Sequence, residues 1–152
     1  MGYDYDSPGG YFITVCTKHF KNVFWENVGA TSGRPKKSNL SKNGEIVRDA
    51  IERIAFTYPA VNVDCFVVMP NHVHLLLQIQ SAEDGRAMPA PTVSRIVQQF
   101  KGYVTKRIGF PVWQKLFHDH VIRGSGDYAA IQKYILENPS RWEEDNFYME
   151  IE

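Results

Sequence analysis

Apolar positions recur along the chain with two periods, one near two residues and one near three to four. Residues 11–17, YFITVCT, are rich in β-branched and aromatic side chains and predict a strand. NVFWENVG then offers a short strand or hairpin arm, and the loop ATSGRPKKSN leads into residues 40–57. There Leu40, Ile46, Val47, Ala50, Ile51, Ile54 and Ala55 fall at helical spacing, with a Ser or Asn to cap the start and Pro59 near the stop. VDCFVVM (63–69) predicts a second strand, and the turn residues Pro70 and Asn71 return HVHLLLQI as its antiparallel partner. SAEDGRAMPAP reads as an irregular loop, after which Thr92 or Ser94 caps a helix carrying Val93, Ile96, Val97, Phe100, Val104 and Ile108, ended by Gly109. Residues 112–123, VWQKLFHDHVIR, predict a strand, and GSGD opens a last helix over about 128–138 that Pro139 stops.

This order is the split βαββαβ arrangement of ferredoxin-like α+β domains, with an added C-terminal helix. Such a sheet carries its helices on one face and leaves the other open to hold a site. A length of 152 residues with 43% hydrophobic content fits one domain over residues 1–152, with 1–10 and 149–152 as flexible ends. No apolar run approaches the roughly 20 residues that span a bilayer, and MGYDYDSPGG lacks a secretory pattern. The expectation is a cytoplasmic protein without a membrane partner. Cys16 and Cys65 stand apart, without metal-ligand spacing, and read as reduced thiols.

Net charge is zero, with 17 basic and 17 acidic residues, so composition alone points to no polyanion. Distribution changes that picture. From Arg95 to Arg123 the chain carries six basic residues (Arg95, Lys101, Lys106, Arg107, Lys115, Arg123) against one acid, Asp119. A second cluster, Arg34, Lys36, Lys37 and Lys42, lies near the 30s loop, while acids gather at the C-terminal end. Such sidedness can steer a nucleic acid, and solvated helix faces produce it equally well.

Candidate chemistry centres on PNHVHLLLQIQ, residues 70–80. Alternation in a strand sends His72, His74, Leu76 and Gln78 to one side and Val73, Leu75, Leu77 and Ile79 to the core. Two neighbouring imidazoles without partners are costly to bury, so they share a cation or make separate hydrogen bonds. In the last helix Tyr134 and Asn138 stand four residues apart on one face. Asn138 can offer an amide oxygen to magnesium or manganese, and Tyr134 a phenolic oxygen to the same place. Ile131, Tyr134, Ile135 and Asn138 also form the stripe of an ordinary amphipathic helix, and spacing does not separate the two readings.

The segments VVMPNHVHLLL, SRIVQQFKGYVTKRIG, VWQKLFHDHVIR and YILENPSRW, after the opening YFITVCTKHF, resemble in order the blocks of the single-tyrosine HUH transposases. That family includes small insertion-sequence transposases and REP-associated tyrosine transposases, and the resemblance spans roughly residues 11–148. It implies a transposase that nicks and rejoins single-stranded DNA at imperfect hairpins near element ends, through a 5'-phosphotyrosine intermediate. Carried over, His72 and His74 match the metal-binding pair and Tyr134 the nucleophile. Asn138 matches the third ligand of a Mg2+ or Mn2+ ion, where some members have glutamine. A homodimer is implied by insertion-sequence members, and a monomer by REP-associated ones.

Arg95, Lys101, Lys106, Arg107, Lys115 and Arg123, with Arg34, Lys36 and Lys37, are the candidate phosphate contacts. Phe24, Trp25 and Trp113 can stack on bases or fill the core. Tyr128 with Gln132, and Tyr103 and Tyr148, are rival nucleophiles by residue type. His118 and His120 form a second alternating pair, which can join the first in a zinc site; His120 can also support a metal ligand, contact DNA or be a satisfied structural histidine. Two further classes remain: an inactive hairpin-DNA-binding module of this fold, and a zinc-structured interaction domain.

Overall fold

The computed structural model describes residues 9–26, 40–80 and 92–139. Within them lie β1 (Gly9–Cys16), α1 (Lys42–Thr57), β2 (Val61–Met69), β3 (His72–Ile79), α2 (Val93–Ile108), β4 (His118–Val121) and α3 (Ser125–Glu137), with a short 3-10 turn at Lys18–Phe20. The strands form one antiparallel sheet in the order β2-β3-β1-β4. This is the expected α+β split βαββαβ arrangement, with α3 as the added helix.

Alternation divides the sheet into two faces. Ile13 and Val15 of β1 stand opposite Leu75 and Val73 of β3, and all four are fully buried. They pack with Val47, Ile51 and Ile54 of α1 and Ile96, Val97, Phe100 and Val104 of α2. Truncating such a residue, Leu75→Ala for example, removes about 2–5 kcal/mol. The opposite face carries Phe12 and Thr14 of β1, and His72, His74 and Leu76 of β3, and α3 packs there against β2 and β3.

Local chemistry sets the ends of the elements. The Ser41 hydroxyl accepts from the Gly44 amide at the start of α1, and Thr92 accepts from Arg95 at the start of α2. Gly109 closes α2 in the left-handed region, at φ 95°. Gly44 sits so close to the Phe24 carbonyl that a Cβ would fall 2.1 Å from its oxygen. Pro70 and Asn71 form the tight β2–β3 turn, and the Pro70 carbonyl accepts from both Val23 and Phe24.

Several elements differ from expectation. β4 is only four residues long, because Val112 and Trp113 insert into the core and Lys101 captures the carbonyls of Gln114 and Lys115. What remains of pairing there is a single bridge between Thr17 and Trp113. The arm predicted at NVFWENVG reduces, among described residues, to a bridge between Trp25 and Leu40. α3 begins three residues early, at Ser125, after Gly124 with φ 115°. Gly9 and Gly10, expected in a flexible end, begin β1 opposite Ile79 and Gln78; the rest of both ends lies outside the described residues.

Cys16 and Cys65 are free thiols, and burial together with Asp64 pushes Cys65 up to about 11. Among the described residues no helix is long and apolar enough to cross a membrane.

Candidate active site

His72 and His74 lie on the face opposite α1 and α2, as the period of two predicts, and both are buried. Their Nε2 atoms point at each other across 3.1 Å. The far side of each ring is held: His72 Nδ1 lies 2.8 Å from Asn71 Oδ1, and His74 Nδ1 lies 2.8 Å from Thr14 Oγ1. Sequence reading missed both of these partners. Asn71 looks like a turn residue and Thr14 like a strand former, and only the β1–β3 register, which sets Thr14 opposite His74, reveals the second contact.

Helix α3 covers this face. Tyr134 is 43% exposed, and its ring centroid lies 5.3 Å from that of His74 and 6.1 Å, edge-on, from that of Phe12. Tyr128 near the start of α3 bonds Asp64 early in β2, and Pro139 just past its end lines a cavity with Trp25, Val67 and Val68. Asn138 caps this helix, one turn beyond Tyr134. It is buried, and its Oδ1 has no hydrogen-bond partner among the described residues.

An orphaned buried amide oxygen costs free energy unless something meets it. Two imidazole nitrogens aimed at one point pose a related problem, since their lone pairs repel unless a proton or cation lies between them. Two imidazoles and an amide oxygen form a mixed nitrogen and oxygen donor set that suits a divalent cation, with remaining positions for water or phosphate oxygens. The residues present thus fit a divalent ion of the manganese or magnesium kind.

Other candidates separate by position. The Tyr128 hydroxyl donates to Asp64 across 2.7 Å, and this bond, with burial and the negative charge of Asp64, raises the phenol to about 12. A phenol held as a donor is a poor nucleophile. Tyr103 lies on α2, behind the sheet, between the guanidiniums of Arg53 and Arg107. Tyr148 lies outside the described residues. His118 and His120 share the open face through their pairing with Thr14 and Phe12. His120 Nε2 donates to Asp127, which also accepts from the Arg123 amide; these bonds hold the Asp127 carboxyl below its usual range. Among the described residues no three of His, Cys, Asp and Glu gather as a metal cluster.

The basic residues lie in two groups. Lys115 and Arg123 flank the edge strand β4 and are exposed. Arg95, Lys101, Lys106 and Arg107 are on α2, behind the sheet. The Lys101 ammonium donates to two backbone carbonyls, and burial lowers its pKa. Arg34, Lys36 and Lys37 lie outside the described residues. Phe24, Trp25 and Trp113 are buried, and Trp113 packs between Phe24 and Phe100, so these rings belong to the core.

No protein-family model matches the chain. It is 33% identical over 97% of its length to an uncharacterised protein of Haemophilus influenzae, of which the match covers 89%. It is 28% identical over 68% of its length to 62% of a second Haemophilus influenzae protein, named "Putative REP-associated tyrosine transposase". Among solved structures, a REP-associated tyrosine transposase bound to a REP hairpin superposes with a TM-score of 0.64 at 22% identity, over 91% of this chain and 71% of that one.

Proposed function

We propose that this chain is a tyrosine transposase that nicks and rejoins single-stranded DNA at a hairpin, and that Tyr134 is its nucleophile. The observation that carries this reading is the meeting of Tyr134 with the His72–His74 pair on the sheet's open face, within one chain. His72, His74 and Asn138 would hold a divalent cation, Mg2+ or Mn2+. Such an ion supplies Lewis-acid polarisation of a phosphate oxygen.

The chain's own residues account for the rest. A free phenol, with a pKa near ~10, is a weak nucleophile at neutral pH and needs a positive or basic neighbour. Tyr134 has the imidazole of His74 beside it, and its partial exposure leaves the hydroxyl accessible to a strand crossing the sheet. In the step, the Tyr134 oxygen bonds to phosphorus, the bond from phosphorus to the 3' oxygen breaks, and the phenol proton leaves to solvent as the 3' oxygen gains one. The 5' phosphate stays on tyrosine, and the reverse attack by a 3'-OH rejoins the strand. Lys115 and Arg123 at the β4 edge contact its phosphates. Arg95, Lys106 and Arg107 contact flanking DNA on the far side, with Arg34, Lys36 and Lys37 as further phosphate contacts.

Support for the DNA partner comes from the relative bound to a REP hairpin, whose fold this chain shares. One chain carries the whole residue set, so a single copy suffices to nick, and two copies serve two element ends. The test is incubation with single-stranded oligonucleotides carrying hairpins from the flanks of its own gene, with manganese. A denaturation-resistant adduct, absent with EDTA, is expected. Hairpin binding that never yields an adduct would leave a binding module without the chemistry.

A further inference from the structure

The two outer contacts of the histidine pair differ in kind, and the difference has a chemical consequence. Asn71 is fully buried, and its Nδ2 donates to the Phe20 carbonyl at 3.3 Å. That bond turns Oδ1, an acceptor only, toward His72 Nδ1 at 2.8 Å. The proton of neutral His72 is therefore on Nδ1, and its Nε2 presents a lone pair. His74 Nδ1 instead faces the Thr14 hydroxyl, 7% exposed, at 2.8 Å. A hydroxyl donates or accepts by rotating about one bond.

With no cation and His72 presenting its Nε2 lone pair, the 3.1 Å contact between the two Nε2 atoms is a hydrogen bond when His74 carries a proton on Nε2 and donates it to His72. His74 Nδ1 is then bare and accepts from Thr14. When both Nε2 atoms face a cation, the His74 proton must be on Nδ1, and the Thr14 oxygen accepts it. In this exchange one N–H bond breaks, the other forms, and water carries the proton between them.

We propose that Asn71 and Thr14 are positioning residues for the histidine pair. Asn71 locks His72 in one tautomer, and the rotating Thr14 hydroxyl lets His74 exchange tautomers between a closed, hydrogen-bonded pair and an open pair that holds a divalent cation. The cation-bound half rests on the function proposed above; the closed half does not. Outer partners of this type fix ring orientation in metal sites, and their loss typically weakens metal binding about 10–100-fold.

The test uses the full chain with 15N-labelled imidazoles. Nitrogen NMR of the cation-free protein is expected to show His72 protonated on Nδ1 and His74 on Nε2. Titration calorimetry with manganese is expected to show about 10–100-fold weaker binding for Thr14→Val and for Asn71→Ala, with Thr14→Ser close to the parent. His72 protonated on Nε2 overturns the proposal even if manganese binds. Thr14→Val binding as tightly as the parent, in a variant with an unchanged circular dichroism spectrum, overturns the role of Thr14. A parent chain that binds no manganese overturns the cation-bound half together with the reading it rests on, while the NMR result still decides the closed pair.

Discussion

The Tyr128 hydroxyl donates to the Asp64 carboxylate across 2.7 Å, at the bulge where β2 shifts register against β3. The bond fastens the start of α3 to the sheet and separates two tyrosines that otherwise look alike. Its pKa rises from 10.0 to about 12, so its contribution to stability is complete below pH 10 and is lost as pH climbs through 12. Alkaline spectrophotometric titration of Tyr128→Phe is expected to lack a late-titrating phenol that the parent shows. If Tyr134 is the nucleophile, as proposed, the variant keeps its adduct yield, because the Tyr128 hydroxyl is held by Asp64.

Asn138 carries a buried amide oxygen without a partner among the described residues. Asn138→Leu removes that oxygen along with its desolvation cost, so the cation-free protein should be unchanged or more stable by about 1–3 kcal/mol. The same variant should lose the stabilisation that manganese gives the parent. Urea unfolding with and without manganese reads both effects; lower stability of the variant without cation would mean that the oxygen has a partner.

Lys115 and Arg123 are exposed beside the edge strand β4, whereas the Lys101 ammonium is tied to the carbonyls of Gln114 and Lys115. Alanine at either of the first two positions should reduce the dependence of log affinity on log salt by about 0.7, the value for one single-strand phosphate contact. Lys101→Met should leave that slope close to the parent and lower stability by about 1 kcal/mol instead. Fluorescence anisotropy over a salt series, paired with thermal melts, distinguishes the two outcomes.

Asp127 accepts from the Arg123 amide and from His120, and both bonds hold its carboxyl below the usual 3.8. A depressed carboxyl stabilises the fold above the unfolded value, and that contribution disappears as pH falls through the lower folded one. Proton NMR should show the Arg123 amide shifting with a midpoint below 3.8, and Asp127→Asn should abolish the shift. A midpoint at or above 3.8 would mean that these bonds do not persist in solution.

The faces of the sheet were legible from alternation alone. Val73, Leu75 and Leu77 read as core and His72 and His74 as residues of the other face, and a period of two separates them so; that face was expected open, but α3 packs on it and both imidazoles are buried. The end of the 112–123 segment was harder. Val112 and Trp113 are hydrophobic because a loop inserts them into the core, and the apolar pattern does not distinguish insertion from strand pairing. Spacing did not separate Tyr128 from Tyr134, and only the resemblance favoured Tyr134. What sets Tyr128 apart in the fold is Asp64, 64 positions earlier, which only the folded sheet brings beside the helix. Asn71 and Thr14 escaped notice for the same reason: each has a sufficient local explanation, and its contact with a histidine belongs to the fold.

In the proposed reaction the phenol of Tyr134 becomes bonded to DNA. Trapping the protein on a single-stranded hairpin oligonucleotide with manganese, digesting both, and locating the nucleotide-bearing peptide by mass spectrometry decides whether it does. One modified residue, Tyr134, is expected, with no adduct from Tyr134→Phe. Phosphotyrosine at Tyr128, or an adduct of undiminished yield from Tyr134→Phe, would overturn the assignment.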